Sequence, residues 1–128
     1  MPIEYEIDRK KGVIRTRCVG PTTLVEVMEH FHTLHGDPAL PPRIDVLLDL
    51  CEMSSVPERE QIRAIVSQVK TLGSELRWGL LAIVAPSDLL FGMSRVFGIF
   101  VEESFANVGV FRRPSEAEAW LASQRAGR

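Results

Sequence analysis

The sequence predicts one α/β domain: a mostly parallel five-stranded sheet with an antiparallel edge strand and four helices, in the order β-β-α-β-α-β-α-β-α. Three observations predict it. Ile44, Val46, Leu47, Leu48 and Leu50 form a near-continuous apolar run after Pro41-Pro42. Residues 78–85, WGLLAIVA, form a second such run, closed by Pro86. Runs of this kind mark strands buried on both faces, as in parallel sheets covered by helices. Between and after the runs, apolar residues recur at helical spacing over lengths that crossovers between parallel strands require.

The elements follow in order. Ile3, Tyr5 and Ile7 alternate with Glu4, Glu6 and Asp8, which is the pattern of a half-buried strand. A polar turn ends in Gly12, available for positive φ, and residues 13–19 resume strand character, so the two pair as a hairpin. Thr23 with Glu26 fits a capping box. Leu24, Val27, Met28, Phe31, Leu34 and His35 then fall on one helical face, closed by Gly36. The central apolar strand follows, with Asp49 near its C-terminal end, where open α/β sheets gather ligands.

Ser55 with Glu58 reads as a second capping box, with Pro57 in the first helical turn. Ile62, Ile65, Val66, Val69 and Leu72 continue that helix to Gly73. After the second apolar run, Ser87 and Asp88 are cap candidates for a third helix running to about Ser104. Residues 107–112 form a short strand. Ser115 with Glu118 reads as a third capping box, and Ala117, Trp120 and Leu121 dock the last helix. Residues 1–123 are read as the domain, and residues 124–128, small and polar, as a frayed tail.

Composition narrows the function classes. The chain has 128 residues, 25% of them charged, and a net charge of −2, with no Lys/Arg stripe of the kind nucleic acid selects. No apolar stretch reaches the roughly 20 residues of a membrane span. The charged start lacks the apolar run of an export signal, which predicts a cytoplasmic protein. Cys18 and Cys51 read as two buried reduced thiols. His30, His32 and His35 do not converge on one helix edge, so no metal site is expected, and no cofactor. Gly92 and Gly98 are too far apart for a dinucleotide fingerprint. No nucleophile, base and orienting group can be assembled, so no enzyme is expected.

The element order, with Val46-Leu47-Leu48-Asp49-Leu50, Ala82-Ile83-Val84-Ala85 and Val110-Phe111-Arg112 leading into Glu116-Ala117-Glu118-Ala119-Trp120-Leu121, resembles the STAS fold. That fold is shared by anti-sigma-factor antagonists and the cytoplasmic domains of sulfate transporters. More narrowly the chain resembles the small stand-alone bacterial STAS-like domains described as SpoIIAA-like. The resemblance covers almost the whole chain. It implies a non-catalytic domain used for regulation or protein contact, or as an alternative a carrier of a small apolar or lipid-like ligand. In the antagonists a phosphorylatable Ser directly follows an Asp after the central strand. Here no Asp precedes Ser54 or Ser55, which leaves them as candidate phosphorylation positions outside the family's pattern.

The third helix stands apart. Leu89, Leu90, Met93, Val96, Phe97, Phe100 and Val101 supply a full core face, yet Phe91 and Ile99 fall on the other side with Arg95, Glu102 and two glycines. Phe91, Arg95, Ile99 and Glu102 recur at spacings of one helical turn and are expected to form a contact surface for a protein partner, a second copy of the chain or an apolar ligand.

Overall fold

A computed structural model describes residues 2–127. The strands are β1 (Ile3–Asp8), β2 (Val13–Gly20), β3 (Arg43–Met53), β4 (Arg77–Val84) and β5 (Asn107–Phe111). The helices are α1 (Leu24–His35), α2 (Arg59–Leu72), α3 (Asp88–Val101) and α4 (Pro114–Ala126). The strands lie side by side in chain order. β1 pairs antiparallel with β2, and every later pairing is parallel. Fold class and element order are as the sequence predicts. Gly12, at φ +66°, makes the hairpin turn that its position predicts.

Alternation along the strands sends two sets of side chains to opposite faces. Ile14, Ile44, Leu50, Leu81 and Ile83 meet residues of α1, α2 and α3 in the larger core. Val13, Leu47, Leu80, Ala82 and Val84 meet Ala117 and Leu121 of α4 in the smaller one. Three helices therefore share one face of the sheet, and α4 covers part of the other.

Asp45 interrupts the central apolar run and is 2% exposed. The β3–β4 register shifts between Ile44 and Val46, where β4 carries an extra residue. Leu80 N–H, displaced from the ladder, donates instead to Asp45 Oδ1 at 2.7 Å. A side chain at Gly79 would run into the same carboxylate oxygen, so the bulge needs glycine there. Arg125, near the end of α4, donates to Asp45 Oδ2 at 2.6 Å and to the Gly12 carbonyl at 3.2 Å, and Arg43 Nε stands 3.6 Å from Asp45 Oδ1.

Several local expectations are corrected. The frayed tail is not seen at 124–126: α4 runs to Ala126, and Arg125 is tied to buried Asp45. α2 starts at Arg59 with Glu58 and Gln61 as its capping box, leaving Ser55 and Pro57 outside it. α4 is capped by Arg113 and Glu116, with Pro114 taking the first helical position; Glu118 is instead held by Arg15. α3 ends at Val101, short of Ser104. The Thr23–Glu26 box of α1 is present as expected.

Candidate functional site

The larger core does not close completely. A cavity of about 170 Å³ lies between the sheet and the three helices that share its face. Val46, Leu48, Leu81 and Ile83 form its floor; Phe31, Ile62 and Phe97 bring α1, α2 and α3 to its walls. Its lining also includes the exposed Thr23 and the half-buried Leu24, Pro57 and Gln61, so it reaches the surface near the N-termini of α1 and α2. Among the described residues lining it there is no Lys, Arg, Asp or Glu.

A few polar groups face this space. Thr22 lines it, and its buried Oγ1 has no hydrogen-bond partner among the described residues. An unmet buried hydroxyl costs about 1–3 kcal/mol. His30 lines it too; burial holds its pKa below the ordinary 6.5, so the imidazole is neutral at physiological pH. The His30 ring meets Tyr5 edge-on at 5.5 Å between centroids. The Tyr5 hydroxyl donates to Asp37 at 2.6 Å, and that bond, with burial, pushes its pKa up to about 12. Thr16, 4% exposed, Ser94, 5% exposed, Thr23 and Gln61 also line the cavity. Burial pushes the Cys18 thiol, also in the lining, up to about 11, so it stays protonated.

The loop after β3 closes against the end of β2. Ser55 Oγ accepts from Thr22 N–H at 2.9 Å, and Ser54 N–H donates to the Gly20 carbonyl at 3.0 Å. Ser54 is exposed and Ser55 half-buried. The N-terminus of α2 lies beyond both, so Ser55 is not the helix cap its spacing suggested; its hydroxyl is engaged by the Thr22 amide before the helix begins. Cys51, expected to be buried, is exposed. Partial desolvation and the nearby Asp49 carboxylate push its thiol up to about 11. His35, assigned to the apolar face of α1, is exposed and lies 2.8 Å from Glu75.

On α3 the structure redraws the faces. The buried residues are Leu90, Ser94, Gly98 and Val101, at spacings of four, four and three. Leu89, Val96 and Phe100, expected in the core, lie on the exposed side with Ile99. Arg95 and Glu102 are exposed, as expected. Phe91 is half-buried under the Arg112 guanidinium, 4.1 Å from its ring centroid, while Arg112 also donates to Asp88 at 2.7 Å. Arg112 is thus engaged by both Phe91 and Asp88. Gly98, assigned to the outer side, faces inward: a Cβ there would stand 3.2 Å from Val108 Cγ1. The glycine lets α3 settle close to β5, and that rotates the larger apolar residues outward.

No family model and no curated protein sequence matches the chain. Among solved structures it is similar to an uncharacterized protein of the DUF3478 family from Shewanella loihica PV-4, described as having a SpoIIAA-like fold. The two share 20% sequence identity and superpose with a TM-score of 0.64, over 93% of this chain and 91% of that one. With its strand order, its single antiparallel edge and its three-against-one helix distribution, the chain takes the SpoIIAA-like, STAS-type fold.

Proposed function

We propose that this domain carries a small, neutral, apolar ligand in the cavity under α1, α2 and α3, and performs no chemistry on it. The observation that carries the reading is the cavity: apolar walls from both the sheet and three helices, a few polar groups in the lining, and no Lys, Arg, Asp or Glu among the described lining residues. A carboxylate or phosphate entering it would lose its water and meet no cation, a cost that excludes charged ligands. The Thr22 hydroxyl and the neutral His30 ring suit a hydroxyl, carbonyl or ester group. The space slightly exceeds the roughly 150 Å³ that accepts benzene, so it fits one ring or a short acyl segment. A thiol held protonated is a poor nucleophile, which supports a non-catalytic role for Cys18.

Native mass spectrometry of freshly purified protein, with titration of an apolar fluorophore, tests this reading. A co-purifying small molecule or saturable fluorophore binding is expected. Ser94→Leu, which fills the cavity from α3, should abolish either one and hold or raise the melting temperature. A protein that binds no apolar compound, or binds it equally with Ser94→Leu, would refute the carrier.

The second reading is a regulatory or protein-interaction domain acting in the cytoplasm. The exposed apolar residues of α3 favour it. No helix among the described residues is long and apolar enough to cross a membrane.

A further inference from the structure

We propose that α3 is a self-association surface, on which two copies of this chain pack antiparallel about a two-fold axis beside Gly98 and Ile99. The first support is the amount of apolar surface. Leu89 is 63% exposed, Val96 49%, Ile99 64% and Phe100 56%, all on one helix. Together they leave on the order of 400 Å² of apolar area in the open, the size of a monomer's largest patch, which is often a functional one. Gly92 lies among them, with open space where a side chain would stand.

The second support is register. In a two-fold antiparallel helix pair, each flank of one helix meets the same flank of the other, running in reverse. A residue then faces another whose midpoint with it falls on the axis. Arg95 and Glu102 share one flank of the exposed face, and Val96 and Phe100 lie towards the other. The midpoints of both pairs fall beside Gly98 and Ile99. The same arrangement therefore sets Arg95 against Glu102 of the partner subunit, Val96 against Phe100 of the partner subunit, and Ile99 against its own copy. Each contact occurs twice. This face is self-complementary in charge and in apolar pairing, the property an isologous interface requires.

The charges also argue for a second copy over a lipid surface. Helices that lie on membranes carry Lys and Arg on their polar rim. Here Glu102 and Glu103 accompany Arg95, and Arg112 is occupied by Asp88. The helix patch alone falls short of the roughly 800 Å² per partner that a stable complex buries, so the association is weak, with dissociation in the micromolar range.

The test is sedimentation of the full chain over a low- to high-micromolar series, with single charge reversals and their combination. Arg95→Glu turns two attractive pairs into two repulsive ones, as does Glu102→Arg, and each should weaken the dimer about tenfold. The double reversal should restore it. Ile99→Glu should leave only monomer. All three positions are exposed, so folding is preserved, and an unchanged melt confirms it. A chain that stays monomeric throughout overturns the proposal. So does a dimer indifferent to the reversals, or a monomer that floats with lipid vesicles until Ile99→Glu is introduced. The readout is mass, so its failure is separable from failure of the ligand reading.

Discussion

Replacing Arg125 with Met should destabilise the domain, although the residue lies only partly buried near the end of α4. The substitution keeps most of the side-chain stem and removes the guanidinium. Lost with it are the 2.6 Å ion pair to Asp45, which is 2% exposed, and the bond to the Gly12 carbonyl. Removing one partner of a fully buried pair costs about 3–5 kcal/mol. Two features reduce that. Asp45 keeps the Leu80 amide and the nearby Arg43, and the Arg125 side chain is 31% exposed, so it is partly screened. A loss of about 2–3 kcal/mol follows, or about 6–15 °C in melting temperature for a domain of this size. The assay is urea and thermal unfolding in a double-mutant cycle with Asp45→Asn, which preserves an acceptor for Leu80. Coupling of at least about 1 kcal/mol is expected between the two positions. If Arg125→Met melts like the parent, or the two changes simply add, the clasp contributes nothing, and the end of α4 is as loosely held as its composition suggests.

Thr22→Val should raise stability by about 1 kcal/mol, since it removes a buried hydroxyl without a partner among the described residues; if that hydroxyl meets a ligand, fluorophore or ligand affinity should fall in the same variant. His30 has a folded pKa below its ordinary 6.5, so below that pH the unfolded chain takes up a proton that the folded protein resists. Its effect on stability is absent above about pH 6.5 and grows as pH falls towards the folded pKa, so the urea midpoint should drop on acidification and His30→Gln should flatten that slope. Ser55→Ala should cost about 1 kcal/mol through the lost bond to the Thr22 amide. Ser54 is exposed, so Ser54→Ala and Ser54→Asp should both melt within about 0.5 kcal/mol of the parent; a phosphorylation switch requires the Asp variant alone to change partner or ligand binding, and identical pull-downs for both would remove it.

The strands were legible because a parallel sheet writes itself into the chain as apolar runs, and β3 and β4 do so plainly. Capping boxes were legible only where nothing competed. Thr23 and Glu26 cap α1 as read, but Ser55 was claimed by Thr22 and Glu118 by Arg15, across 33 and 103 residues. The orientation of α3 was hidden for another reason. With apolar residues all round, its helical period has no preferred phase, and the informative residues were the small ones, Ser94 and Gly98, one turn apart. Asp45 is the signal that was passed over. A carboxylate inside an apolar strand demands donors, and Arg43, two residues away, is the one cation that spacing offers; Arg125 is brought to it only by the docking of α4. The cavity had no signal to find, because an unfilled volume depends on how six or more elements stand off from one another, and no spacing encodes that.

The strand order has a consequence for synthesis. Because spatial order equals chain order, every strand pairs with the one made just before it, and no later strand inserts between two earlier ones. A chain leaving the ribosome can therefore zip its sheet forward from the β1–β2 hairpin, strand by strand, with each crossover helix arriving between its two strands. Contacts made by the last helix are the exceptions: Glu118 reaches Arg15 across 103 residues, and the contact between Arg125 and Asp45 spans 80. It cannot form until the last helix has emerged. Proteolysis of stalled nascent chains should show resistance rising in steps with each strand and a final step only when residue 125 is free. The buried carboxylate in the third strand thus acts as a completion mark, set early and answered last.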